Sequence, residues 1–243
     1  MQIRITSPHK IYVLLALIFI ISIIALGSWG LAESSEARYA EIGREMLLNK
    51  DFLHPRLLEI QHYHKPPLTY YLTALGYTLF GINEFGARFF LQLALIFQIF
   101  FVYKIANLLF NDVRLSLSAS VIYFTFPIVL IATNNLTTDA YLTTFEIASI
   151  YFWLLYRNNR KAYGLYLSSL ALGLGFLTKG PVVLLPFVVF LISHSIIYKQ
   201  RFKVNFHLLW SGLIFIGISI PWFIIIIKET PVLFDYFFKT HTI

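Results

Sequence analysis

Apolar runs recur along this chain at about Ile11–Leu31, Phe89–Phe110, Leu115–Thr133, Ala140–Tyr156, Ala162–Thr178, Gly180–Tyr198 and Leu208–Ile227, separated by short polar turns. A bilayer crossing takes about 20 apolar residues as a helix, so the pattern predicts an all-α, polytopic transmembrane bundle of about seven spans. The first run holds no ionisable residue, and its apolar core exceeds the roughly 7–15 residues of a signal-peptide core. It is therefore expected to stay as an anchor. One segment breaks the pattern: from Glu33 to Pro67 the chain is charged and rich in histidine, which predicts an external loop over about residues 31–88 lying against one leaflet.

Composition agrees with a membrane protein. The chain is 58% hydrophobic, 18% aromatic and 13% charged, with a mean hydropathy of +0.72, against roughly 25% charged residues in a soluble domain. The net charge of +7 falls in short basic groups between apolar runs, which the positive-inside rule explains and nucleic-acid binding does not require. Arg4, Lys10, Lys104, Arg114, Arg157, Arg160, Lys161, Lys199, Arg201 and Lys203 all fall on one side if the spans alternate. That side, with the N-terminus, is expected to be cytoplasmic. The charged loop, Asp139, the Thr178–Pro181 turn and the segment after Lys228 then share the opposite face, with nearly all the carboxylates. With no cysteine, disulfides and thiolate metal sites are excluded.

Within the loop, Ser34-Ser35-Glu36 precedes a run of period 3.6, and Glu36, Arg38, Glu41, Arg44 and Glu45 make opposite-charge pairs at helical spacing. An amphipathic interfacial helix from about Glu36 to Leu48 is expected, either as an anchor with solvated charges or as part of a site. In His62-Tyr63-His64-Lys65-Pro66-Pro67 the prolines cannot continue a helix and bias Lys65 to extended backbone. A cation fixed there suits a phosphate oxygen; a solvated turn is the plain alternative. Asp139 opens a span, where it serves either as a helix cap or as an acid at a membrane mouth. Glu146 lies on the same helical face about 10 Å deeper. Lys179, before the Gly180-Pro181 break, is an end-anchor or a phosphate clamp.

The stretches Glu36 to Met46, Asp51 to Leu57, His64-Lys-Pro-Pro-Leu-Thr-Tyr70 and Phe80 to Arg88, with Thr138-Asp139, Leu177-Thr-Lys-Gly-Pro181, Pro221-Trp222 and His241, resemble the aminoarabinose transferase and protein mannosyltransferase group of GT-C membrane glycosyltransferases. The resemblance covers essentially the whole chain, as a single domain over residues 1–243. It implies an enzyme that moves a hexose or pentose from a polyprenyl-phosphate carrier to a lipid, glycan or protein acceptor, such as lipid A, on the periplasmic face of a cell inner membrane. By that likeness Glu36 and Asp139 are candidate catalytic acids, and Arg38, Lys65 and Lys179 candidate ligands of the donor phosphate. Tyr39, His62, His64, Arg88 and His241 are expected to line the substrate cavity. Two positions depart from the family pattern: Ser35 stands where relatives usually carry Asp, and His64 where many carry Glu. A divalent metal, zinc, would draw on His64 and His241, with His54 and His62 nearby in sequence. The family's longer architecture marks this chain as its N-terminal part. A lipid or solute transporter and a non-catalytic transferase-like scaffold are the alternatives; convergence of the external acids and Lys65 on one place separates an enzyme from a scaffold.

Overall fold

The structure, a computed structural model, describes residues 9–32, 34–159, 161–199 and 205–237. His241 and the basic residues Arg4, Arg160, Arg201 and Lys203 lie outside the described residues. Each apolar run forms helix: α1 (Lys10–Ile23), α4 (Glu84–Phe110), α5 (Val113–Thr125) with α6 (Pro127–Asn134), α7 (Asp139–Asn159), α8 (Ala162–Lys179), α9 (Leu184–Ile197), and α10 (Phe206–Ser219) with α11 (Pro221–Glu229). The charged loop supplies α2 (Ser35–Asn49), a hairpin of β1 (Arg56–Leu57) and β2 (Ile60–Gln61), and α3 (Leu68–Phe80); α12 (Val232–Asp235) follows α11.

Several expected spans are less regular than the hydropathy pattern suggested. The first run is helical only to Ile23 and continues in turns; 14 residues reach about 21 Å, short of the roughly 30 Å hydrocarbon core. The third and last runs are each broken at a proline: α5 and α6 meet at 62° at Pro127, and α10 and α11 at 41° at Pro221. Proline removes a backbone donor and clashes with the preceding turn, so the bend falls there. By length and hydropathy Ala162–Ile197 qualifies as one helical stretch of 36 residues, but packing shows a reversal. A methyl group on Gly175 would lie 2.6 Å from a Val183 methyl, whereas residues eight apart in a straight helix are about 12 Å apart. Below that contact, Phe190 and His194 of α9 stack on Trp153 of α7. The chain therefore turns at Gly180, whose φ of +75° favours glycine, and α9 returns alongside α7.

Helix ends are set by short polar side chains. Asn83 accepts a hydrogen bond from Gly86 N to cap α4, Asp112 caps α5, and Asn205 caps α10. α7 is central and packs against α4, α6, α8 and α9. Its contact with α4 is knitted by a buried amide, since Gln98 donates to Ala140 O and Thr144 Oγ1 and accepts from Tyr123 OH, all its polar atoms being satisfied; Gln92 of α4 likewise donates to Thr133 O of α6. In lipid such groups must be satisfied within the protein, so they fix helix register.

The face that carries α2 also carries the start of α7 and the ends of α8 and α11, while Lys104, Arg114, Arg157, Lys161 and Lys199 sit toward the other ends of their helices. α2 lies on α3, and α3 on α4. Where α3 crosses α4, a methyl group on Gly76 would sit 2.1 Å from Gly86 O, so only glycine allows this approach. The tip of the hairpin, Leu58 and Glu59, has positive φ at both positions, the backbone of a two-residue hairpin turn. Glu59 N donates to the buried Glu45 carboxylate of α2.

Candidate active site at the mouth of α7

Asp139 is the first residue of α7 and Lys179 the last of α8, so these antiparallel helices bring an acid and a cation to one end of the bundle. Each sits where the helix dipole favours its charge. Lys179 Nζ donates to Asp139 Oδ1. The side chains are 29% and 53% exposed, so the pair is wet and open to exchange. The Asp139 backbone N–H donates to Thr137 Oγ1 at 3.4 Å, and its carboxylate turns to Lys179.

Lys65 and Arg38 join this pair from the loop. The Lys65 ammonium has its pKa lowered, first by partial burial and then by the positive charges of Lys179 and Arg38, with Asp139 opposing. Pro66 and Pro67 are buried beneath it and hold the approach to α3. Tyr39, one residue past Arg38, is buried and stacks on Tyr70 at 5.6 Å. Burial raises its phenol pKa, against a hydrogen bond with Thr138, the residue before Asp139. The expected phosphate ligands Arg38, Lys65 and Lys179 thus gather with Asp139 and Tyr39. Glu146, half-buried on α7, is close enough to interact with Lys179 and Asp139.

Two expected site residues lie elsewhere. Glu36 is 2% exposed and Arg88 0%, and they pair with each other: Arg88 Nε donates to Glu36 Oε1 at 2.7 Å and Nη2 to Oε2 at 2.9 Å. The remaining carboxylate positions accept from Ala32 N at 2.8 Å and Leu136 N at 3.0 Å. Burial pushes the Glu36 carboxyl up, but the bonds from Arg88, Ala32 and Leu136 outweigh it and hold its pKa below the ordinary value. A carboxylate so saturated has no lone pair directed at an acceptor hydroxyl, which argues against its use as a base. Arg88 spends its other donors on the carbonyls of Leu26, Trp29 and Gly30 and lies 4.7 Å from the Trp29 ring. It does not line an open cavity.

His62 and His64 stack face to face at 4.4 Å, with His64 also against Tyr236. Burial lowers the His62 pKa, with help from His64 and Arg38, so it is neutral near pH 7. Parallel rings 11° apart aim their nitrogen lone pairs side by side rather than at one point, a poor fit to the convergent ligands zinc requires. Among the described residues no group of three or more His, Asp or Glu is spaced to hold a metal ion. His54 takes another role that its sequence position did not announce. Its Nδ1 meets Asp51 at 3.0 Å and its Nε2 meets Glu229 of α11 at 2.6 Å, while Trp222 Nε1 donates to Leu53 O. This clasp joins the loop to the end of α11. Beside α2 a groove of about 630 Å³ runs between Arg38, Arg44, Tyr77 and the Asn83 turn, so Arg38 borders it as well as the cluster at Asp139.

A multi-pass helical bundle with an interfacial helix over a cationic mouth is the architecture of a GT-C membrane glycosyltransferase. Residues 64–225, more than half of the chain, match the dolichyl-phosphate-mannose-protein mannosyltransferase family, and the chain belongs to that family. It is 30% identical over 220 residues to an undecaprenyl phosphate-alpha-4-amino-4-deoxy-L-arabinose arabinosyl transferase of Pseudomonas fluorescens, covering 89% of this chain and 38% of the relative. Its fold is that of ArnT from Cupriavidus metallidurans: the apo crystal structure superposes with a TM-score of 0.84 at 24% identity, over 96% of this chain and 45% of that one. The structure of the same enzyme bound to undecaprenyl phosphate gives 0.83 at 23% identity, over 96% and 44%. The chain spans less than half the length of the relatives it matches.

Proposed function

We propose that this chain carries the donor site of a membrane glycosyltransferase that moves a sugar from a polyprenyl-phosphate carrier to a lipid, glycan or protein acceptor. The observation that carries the reading is the gathering of Arg38, Lys65 and Lys179 around Asp139. As the bond between the anomeric carbon and the phosphate oxygen breaks, negative charge builds on the leaving phosphate, and cations already in place stabilise it without reorganising. Burial first, and then the charges of Lys179 and Arg38, depress the Lys65 pKa, and the repulsive part of that shift is relieved when an anion enters. A phosphate that draws Lys179 away from Asp139 frees the carboxylate to take the acceptor's hydroxyl proton as that oxygen attacks. Tyr39, His62 and His64 then flank the sugar.

The relatives' undecaprenyl phosphate-linked aminoarabinose, and the undecaprenyl phosphate held by the structural neighbour, support a pentosyl donor on that carrier; a lipid acceptor such as lipid A completes the proposal. The basic residues opposite the site support an inner membrane location with the site on the periplasmic face and the N-terminus in the cytoplasm. The test is to incubate membranes containing the protein with radiolabelled undecaprenyl-phosphate aminoarabinose or polyprenyl-phosphate mannose. Label from the pentose donor is expected to move to lipid. Movement from mannose alone would reassign the donor, and movement from neither would end the transferase reading for this chain.

A further inference from the structure

We infer that Glu36 and Arg88 are positioning residues that set the distance between the α2 and α7 halves of the cationic cluster, an inference that rests on the transferase reading above. The pair ties four segments together at one buried point. Arg88 brings in α4 and, through Leu26, Trp29 and Gly30, the chain after α1. Glu36 belongs to the first turn of α2 and takes a hydrogen bond from Leu136 N, three residues before Asp139. Arg38 follows Glu36 by two residues. The phosphate cation of α2 and the acid of α7 are thus each within one helical turn of the same carboxylate.

This arrangement exceeds what holding the fold requires. α2 already packs on α3, and α3 on α4, through apolar contacts and the glycine crossing. Apolar packing also seats Leu136 beside Tyr39, Ala40 and Ile42 of α2, but such contacts are non-directional; among the described residues the Glu36 carboxylate is what bonds that loop's backbone to α2 at a fixed distance. A cluster of like charges tends to spread, and Lys65 is repelled by both Lys179 and Arg38. A rigid link between their supports keeps them within reach of one phosphate. Displacement of about 1 Å at a reacting centre is enough to lose about 10²-fold in rate.

The experiment uses Glu36→Gln, which keeps the shape and one acceptor oxygen, and the double variant Glu36→Gln/Arg88→Met, which leaves no buried charge unpaired. Because the chain has no cysteine, cysteines introduced at Ser35 and Asn135 report the α2 to α7 spacing by cross-linking yield, whether or not sugar is transferred. The expected result for folded, detergent-extracted protein is a fall in kcat of about 10- to 100-fold and a changed cross-linking yield, with carrier KM moving less than kcat. Folded variants with wild-type kcat and wild-type cross-linking would overturn the inference. So would failure of both variants to accumulate as folded protein, which would make the pair a fold element alone. Changed cross-linking in a chain whose wild type transfers nothing would uphold the spacer and sink the transferase reading instead.

Discussion

Two acid–base pairs near the α2 face, built from the same kinds of side chain, sit in opposite physical settings. Glu36 and Arg88 are closed off from solvent, and every carboxylate position is filled by a donor at fixed distance. Asp139 and Lys179 are half in water and surrounded by surplus cations. A buried pair with full hydrogen bonding is locked, because parting it leaves a naked charge in low dielectric. An exposed pair contributes little to stability and exchanges partners readily. Saturation marks a structural joint, and unsatisfied surplus charge marks a place where a ligand completes the balance.

The sharpest break of that contrast is Asp139→Asn. If the open pair holds the base, transfer falls by about 10²–10⁴-fold with normal expression, since neutralising a placed base costs that much; Asn would serve nearly as well as Asp in a capping role. Full activity in this variant would withdraw Asp139 from chemistry. Next in size is Lys65→Met, expected to lower turnover by about 10²-fold, with Lys65→Arg restoring part of it because a planar fork is not a point charge. Retained binding of inorganic phosphate and carrier by the Met variant, with unchanged rate, would return Lys65 to a solvated turn.

A smaller, pH-dependent effect is expected at the His54 clasp. Burial lowers the His54 pKa, but Glu229 and Asp51 outweigh it and raise the value above the ordinary one. The stabilisation from the imidazolium is therefore fully present below about pH 6.5 and is lost as pH rises through the raised value. Limited proteolysis of the loop around residues 51–63 should speed up over that window in the wild type, and His54→Gln should be fast at every pH. A flat wild-type profile would remove the clasp. The mildest test leaves chemistry untouched: in intact cells a cysteine at Asn134 should react with an impermeant thiol reagent, and one at Asn158 should not. The reverse labelling would put both pairs on the cytoplasmic side.

Much of the architecture is legible in residue order because burial in lipid imposes a strong signal: each apolar run is helical, and the helix expected over Glu36–Leu48 spans Ser35–Asn49. What escapes is what depends on distant partners. The runs containing Pro127 and Pro221 read as single spans, and only the folded chain gives their bends of 62° and 41°. Lys65 and Lys179 could be nominated from the residues themselves, because one leads into a double proline and the other closes a span, whereas Arg38 rested on the family likeness. The role of Glu36 could not be read that way, since it is decided by an arginine 52 residues away. His54 likewise meets Glu229 across 175 residues, a contact no local pattern announces.

The glycine crossing of α3 and α4 has a mechanical corollary. Gly76 and Gly86 press two backbones together with no side chain between them to act as a cushion. Arg88 lies two residues past Gly86, and Lys65 leads through two prolines straight into α3. A tilt of α4 within the bilayer is therefore transmitted like the swing of a bent lever. The long arm is the span, the short arm is α3, and the lysine stands just before its tip.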